Sequence, residues 1–409
     1  MAATSSLISH DSPVLVINSG SSSLKFGLYR TKDRDEELVL NGSAENIARP
    51  DGRLSVKDGS GNTLVNEKRD FASSRQALEA VSNRLKDSSN SSPVAVGHRI
   101  VHGGPKLRSH QRITPSVIRT LEDSVHFAPL HIPPALTLIR EVASFYPGTP
   151  QFACFDTAFH ATLPEAAAHF ALPAELWNAG ILRYGFHGLS YESIVSILGT
   201  ELRPRTVVAH LGNGCSLAAL SNGISVDTSM GLTPTGGIPM SSRSGDLDPG
   251  VILYLLRVRK LDAGQLEVLL NEHSGLAGIA GGESDLRNLQ AAAAKGDEKA
   301  ALAIEIFCRA IRKTIGSYAA VLGGIDLLVF TGGIGENSVI VRGLVLARLG
   351  FLGLAEDPAA NAGHGRSAGG RISRPGPVQA LVVPTDEELM IARDTVRLIA
   401  VRPGGRPRF

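Results

Sequence analysis

Two segments, half a chain apart, read alike, and they constrain the fold more than any other feature. The first is the apolar run 14–18 (VLVIN), broken by the small residues 19–23 (SGSSS) and resumed at 24–29 (LKFGLY) with alternating apolar positions. The second is 206–210 (TVVAH), then 211–216 (LGNGCS), then the apolar run 217–220. Apolar run, tight small-residue turn and second apolar run describe two paired strands. Their recurrence predicts two domains built on one plan. The chain has 409 residues, which suits two domains.

Other elements follow from pattern. Strands are expected at 36–40 and 94–100, with a helix over 74–85 between them. Residues 51–66, rich in Gly, Asp, Asn and Ser, read as a hairpin region. Ile304, Phe307, Ile311, Ile315, Tyr318 and Leu322 recur at spacings of three and four, which marks a long helix with one buried stripe, ended by Gly323-Gly324. A strand at 326–330 (DLLVF), the turn 331–337 (TGGIGEN), a helix toward Leu349, a strand at 380–383 and a helix over 386–399 complete the chain. Helices alternating with strands predict an α/β class with layered sheets.

Composition excludes some functions. Lys+Arg is 41 against 39 Asp+Glu, a net charge of +2, so the basic excess of a dedicated nucleic-acid binder is missing. Cys154, Cys215 and Cys308 are far apart and offer no metal-ligand spacing, which fits a reducing, cytoplasmic compartment. The opening residues MAATSSLISHDS lack the charge and apolar run of a secretory signal, and no later run is long enough for a bilayer; no membrane association is expected. The basic tail 402–409 reads as a solvated end.

Small residues around Gly20, and again Gly212-Asn213-Gly214, let backbone N–H groups approach a phosphate closely, where side chains would obstruct it. Neither turn is a Walker loop, because GxxxxGK[ST] is absent, and neither is a dinucleotide fingerprint, because a strand and not a helix follows. Gly332-Gly333 closes a third strand in the same manner. The pairs His98/His102 and His126/His131 lack the Cys or carboxylate partners that would complete a zinc site.

Nine stretches then occur in order: VINSGSSSLKF, GHRIVHGG, FDTAFH, RYGFHG, VVAHLGNGCS, MGLTP, RSGDLDPG, TGGIGEN and TDEELMIARDT. The series resembles the acetate kinase (acetokinase) family, within the wider superfamily of acetate and sugar kinases, heat-shock chaperones and actin. The resemblance runs from Val14 to Ile399. It implies two ribonuclease-H-like domains of duplicated plan with an interdomain active-site cleft. The expected division is 1–160 plus 390–409 for the N-terminal domain and 161–389 for the nucleotide-binding one. It implies transfer of the γ-phosphoryl group of ATP to acetate, a requirement for Mg²⁺ (or Mn²⁺), and a homodimer.

The family's site maps onto this sequence residue by residue. Arg99 and Arg243 match its substrate-site arginines, whose planar forks suit phosphate and carboxylate oxygens. His187 matches the histidine that steadies the transferring phosphoryl group. His131 and His210 match secondary site histidines. Asp156 and Glu387 match the magnesium-side carboxylates, and Asn18 a phosphate- or metal-side asparagine. Asp156 is assigned to metal and positioning, since a carboxylic acid is already ionised and needs no general base. Val101, Leu130, Phe186 and Pro234 match a small apolar pocket for the acid's alkyl end. Nucleotide contacts are expected from Lys25, His210, Gly212, Asn213, Gly214, Asp285, Leu286, Arg287, Gly332, Gly333, Ile334, Gly335 and Asn337, with Gly332-Gly333 leaving room for adenosine. The sequence departs from the family pattern at Ile132, at Thr235-Gly236-Gly237 and at Asp386. A propionate- or butyrate-preferring relative, and a nucleotide-switched chaperone- or actin-like ATPase, are the competing readings.

Overall fold

The structure is a computed structural model that describes residues 13–20, 23–32, 35–89 and 92–400. The leader, the basic tail and Ser21-Ser22 of the first small-residue turn lie outside the described residues. Described residues up to Ala158 and from Asp386 onward form one compact unit, and Phe159–Thr385 form a second.

The first unit is built on β1 (Pro13–Ser19), β2 (Ser23–Lys32), β3 (Asp35–Glu45), β4 (Arg53–Asp58), β5 (Thr63–Lys68), β6 (Ala95–Ile100), β7 (Gln111–Arg112) and β8 (Gln151–Phe155). Their order in the sheet is β5-β4-β3-β2-β1-β6-β8-β7. The first five strands form an antiparallel meander, whereas β6 runs parallel to β1 and β8 parallel to β6. Both faces of β1 are covered, which is why it reads as an unbroken apolar run. Leu15 and Ile17 pack with Leu78 and Val81 of helix Ser74–Ser89 and with Leu138 and Val142 of helix Ile132–Phe145. Val14 points the other way, toward Val396 and Ile399 of helix Glu387–Ala400.

That last helix lies close against the sheet because β6 carries a glycine. A Cβ on Gly97 would sit 2.2 Å from Thr395 Oγ1 and 2.7 Å from Ile391 Cγ2. Asp386 caps the helix, accepting from Leu389 N at 2.8 Å. Asp and Asn cap helices about equally well, so the departure at 386 leaves this role intact.

The second unit holds β9 (Arg205–Leu211), β10 (Cys215–Ser221), β11 (Ile224–Thr228), β12 (Leu327–Thr331) and β13 (Gln379–Val382), in the order β11-β10-β9-β12-β13. An antiparallel β9–β10–β11 meander continues into parallel β12 and β13. This is the order and sense of β3-β2-β1-β6-β8, so the duplicated plan is present in both sheets. Helix Glu298–Leu322 covers one face through Ile304, Phe307, Ile311, Ile315 and Tyr318, and Gly323 ends it in the left-handed conformation at φ 68°. Helix Gly188–Leu198 covers the other, with Tyr191, Ile194 and Leu198 against Val208, Ala218 and Val329.

Two local expectations needed correction. The strand expected at 36–40 extends to Glu45, because β2 and β4 supply backbone partners along its polar end. TGGIGEN, read as a turn, contains the short helix Gly332–Asn337. No helix among the described residues is long and apolar enough to cross a membrane.

Candidate active site

In the first unit, the ends of the three parallel strands gather charged groups. Asn18 and Arg99 each stand one residue before the end of β1 and β6, and Asp156 follows β8. The Arg99 fork grips Asp156 with Nε to Oδ1 at 2.9 Å and Nη2 to Oδ2 at 2.5 Å. Its Nη1 donates to Asn18 Oδ1 at 3.2 Å. Asn18 in turn donates to Glu388 Oε1 at 2.8 Å and to Glu387 Oε2 at 3.4 Å. Glu387 Oε2 lies 3.9 Å from Arg99 Nε. The amide orientation is determined by charge: reversing Asn18 would turn its N–H groups on the guanidinium and its oxygen on two carboxylates.

Electrostatics reinforce the cluster. Burial opposes the charge of Arg99, but Asp156, Glu387 and Glu388 hold its pKa above the usual arginine value. Burial pushes Asp156 up, and the Arg99 charge pulls against it. Lys25, opposite Asn18 in the β1–β2 pairing, is exposed. His131 stands at the start of helix Ile132–Phe145. Of the apolar pocket residues this unit supplies Val101, half-buried, and Leu130, 49% exposed.

In the second unit a different group converges. His187 adopts φ 58° and precedes helix Gly188–Leu198. Its ring stacks on that of His210, with centroids 4.3 Å apart. His187 Nδ1 meets Ser216 Oγ at 2.9 Å, and His210 Nδ1 meets Ser190 Oγ at 2.8 Å. The other ring nitrogens face the β9–β10 turn. A Cβ on Gly214 would lie 3.2 Å from His187 Nε2 and 3.6 Å from Arg243 Nη1, and one on Gly212 would lie 3.7 Å from His210 Nε2. Glycine at both positions therefore leaves room beside His187, His210 and Arg243. Arg243 also donates to Pro234 O at 3.2 Å. Phe186 and Pro234 are buried in this unit, and Asn213 is exposed at the tip of the turn.

The sequence-selected nucleotide residues occupy two further places in this unit. Asp285 caps helix Leu286–Ala294 and pairs with Arg287, Nη2 to Oδ2 at 2.5 Å, a hydrogen bond that draws the Asp285 pKa down to about 2. The Arg287 side chain is exposed, whereas that of Leu286 is buried, leaving only backbone for a ligand there. In TGGIGEN, Gly332 has φ 75° and no room for a Cβ, which would meet Leu211 O at 2.8 Å; Gly333 faces open space. Ile334 and Gly335 follow within the same short helix, and Asn337 Nδ2 ties back to Gly333 O at 2.9 Å.

Sequence reasoning missed four groups. Glu388 is the carboxylate that Asn18 touches most closely. Ser216 and Tyr191 stand behind His187. Arg342 is fully buried and donates to Gly335 O at 2.8 Å and Glu336 O at 2.9 Å, which holds TGGIGEN from behind. Helical spacing could have found Tyr191, four residues from His187 and so on one face. His98 and His102 are structural: His98 is buried against Gln151 at 2.6 Å, with a pKa pushed down to about 4 by burial, and His102 Nδ1 accepts from Gly104 N. His110, Cys154 and Asp394 also cluster. There His110 Nδ1 accepts from Phe155 N, so the neutral ring carries its proton on Nε2, 3.2 Å from Asp394 Oδ2, and neither ring nitrogen keeps a lone pair for a metal.

The sequence model of the acetokinase family matches residues 13–393. The chain belongs to the acetokinase family. It is 42% identical over 400 residues to an acetate kinase of Desulforamulus reducens, covering 94% of this chain and 100% of that protein. It is likewise 42% identical over 399 residues to an acetate kinase of Bacillus subtilis, covering 95% and 99%. Among solved structures, the acetate kinase of Porphyromonas gingivalis matches with TM-score 0.83 and 40% identity over 95% of this chain and all of that one (100%). A propionate kinase of Francisella tularensis matches with TM-score 0.86 and 37% identity over 95% and 100%. Membership carries the two-domain α/β kinase fold, and ATP as co-substrate follows from the family.

Proposed function

We propose that this chain transfers the γ-phosphoryl group of ATP to the carboxylate of acetate, giving acetyl phosphate and ADP, and runs the reverse reaction with the same groups. One observation carries the choice of acceptor. Both oxygens of Asp156 accept hydrogen bonds from Arg99, whose charge opposes protonation of this carboxylate and makes it a poor base for a hydroxyl. An acceptor that arrives ionised needs no base, and acetate does so at neutral pH. What remains is positioning and cancellation of charge. Arg99 has five N–H groups and uses three in the described contacts, leaving two for the acid's oxygens. His187 and Arg243 hold the phosphoryl oxygens, with Gly212, Asn213 and Gly214 supplying backbone N–H groups. Asp285, Arg287 and the open side of Gly333 take the nucleoside, and Lys25 and His210 serve its phosphates.

Glu387 and Glu388 offer oxygen donors side by side at the start of one helix, a set that fits Mg²⁺, which takes one or two carboxylates and keeps several waters. A Mg²⁺ ion held by these two carboxylates would supply positive charge to offset that of the ATP phosphates. Asn18 and Asp156 would support it from behind, since the Asn18 oxygen is already given to Arg99. The proposal includes a homodimer in the cytoplasm. Val251, Leu253, Tyr254 and Leu256 are exposed on helix Pro249–Arg257, which has no buried residue among the described ones, apolar surface that suits a second copy of the chain.

The test is ADP release from Mg-ATP with acetate, propionate, butyrate or no acid. Turnover that requires acid and is led by acetate supports the reading. A lead by propionate would move the substrate to the chemistry named for the Francisella tularensis protein. Equal slow release in every tube would replace it with a nucleotide-switched ATPase.

A further inference from the structure

We propose that Ser216 and Tyr191 are positioning residues that fix His187 as the neutral imidazole with its proton on Nε2, so that the N–H faces the Gly212–Gly214 turn. The inference deepens the functional reading and rests on it only for the identity of what that N–H meets.

The argument counts hydrogens. Tyr191 is wholly buried, and among the described residues its hydroxyl meets one polar partner, Ser216 Oγ at 2.5 Å. Burial raises the pKa of Tyr191, so the phenol keeps its proton at neutral pH. A buried O–H without an acceptor costs free energy, so Tyr191 donates to Ser216. Ser216 is also wholly buried, and its Oγ has two described partners, Tyr191 and His187 Nδ1. Having accepted from Tyr191, Ser216 has one hydrogen left and one place for it: His187 Nδ1. A nitrogen that accepts carries no proton, so the neutral ring holds its hydrogen on Nε2.

The direction suits the chemistry. A bare Nε2 would point a lone pair at an anionic phosphoryl group, whereas N–H donates to it. The fold fixes the parts rigidly. Tyr191 lies on helix Gly188–Leu198, four residues past His187. Ser216 lies on β10, in register with His210 of β9. His210 repeats the device: Ser190 is wholly buried, its hydroxyl meets His210 Nδ1, and donation there leaves the His210 proton on Nε2 as well. Two stacked rings thus aim two N–H groups at one turn. The chain also predicts a ranking. Removing the serine hydroxyl frees the ring from its proton donor; removing only the phenol leaves that donor in place.

The test is ¹⁵N NMR of the full chain labelled at histidine, with His187 signals assigned by their loss in His187→Gln. The native ring should show the neutral Nε2–H pattern, and Ser216→Ala should shift it to a mixture of tautomers. In the same variant kcat should fall about tenfold, with the KM for acetate and ATP moving less than about twofold. Tyr191→Phe keeps the serine hydroxyl but loses what orients it, so it should show a smaller admixture of the Nδ1–H tautomer and lose less of kcat than Ser216→Ala. An Nδ1–H pattern in the native protein would overturn the proposal, and that reading needs no variant to fold. So would a Ser216→Ala protein with unchanged tautomer and kcat. A native Nε2–H ring in a protein without acid-dependent turnover would sink the functional reading and leave the relay standing.

Discussion

Replacing Arg99 with alanine should separate what this side chain does for the fold from what it does for the reaction. It makes three hydrogen bonds at the strand ends, two to Asp156 and one to Asn18. The Asp156 side chain is 1% exposed, so truncation strands a buried carboxylate. Breaking a buried ion pair costs about 3–5 kcal/mol, and the partial exposure of Arg99 places this case near the lower end, about 3 kcal/mol. The loss should depend on pH, with a sign that follows from burial. Burial already raises Asp156, and Arg99 opposes the rise. Without Arg99 the folded-state pKa climbs further above the unfolded value. In the window between the two values the folded state holds a proton that the unfolded state has released, so stability falls as pH rises through it. The variant should therefore lie closest to the native protein near pH 4 and fall furthest below it at neutral pH and above.

Denaturant unfolding at several pH values reads this directly, with Arg99→Ala/Asp156→Asn as the control. Removing the stranded charge should return stability and flatten the pH dependence. It should not return turnover, because the lost guanidinium is also a charge-stabilising donor, worth about 2–4 kcal/mol or roughly 30- to 1000-fold in kcat/KM. Two results would refute the reasoning. Acid-dependent turnover within about threefold of native in Arg99→Ala would remove the guanidinium from the chemistry. A pH-independent stability loss that Asp156→Asn does not relieve would mean that the cost lies elsewhere.

Gly97→Ala should destabilise the first unit by about 1–3 kcal/mol in denaturant unfolding, since the new Cβ falls 2.2 Å from Thr395 Oγ1 on the helix that packs there. Gly332→Ala should lower stability, because φ 75° and contact with Leu211 O forbid the Cβ, while Gly333→Leu should leave the unfolding midpoint unchanged and raise the KM for ATP. Glu387→Gln and Glu388→Gln should each raise the Mg²⁺ concentration for half-maximal turnover by about tenfold, measured by titrating the metal at fixed ATP.

The repeat of β1–β2 in β9–β10 was legible because a strand covered on both faces must be apolar throughout, and that pattern survives in sequence. The polar end of β3 was not, since its place depends on backbone pairing with β2 and β4 and not on its own side chains. The candidate site divides in the same way. Arg99, Asp156, His187 and Arg243 stand in recognisable motifs, yet nothing in those motifs shows that the Arg99 fork closes on Asp156, 57 residues away. Arg342 is the sharpest case. An arginine in VRGL reads as surface, but this one is buried with its pKa pushed down to about 10 by that burial. Three of its acceptors are the backbone carbonyls of Gly335, Glu336 and Asn361, groups that every residue type could offer, beside the Asn361 side-chain oxygen. A side chain that meets a ligand is identifiable by its own chemistry. One that aims another, as Arg342 aims TGGIGEN and Ser216 aims His187, is defined by what stands next to it, and the chain supplies that neighbour only on folding.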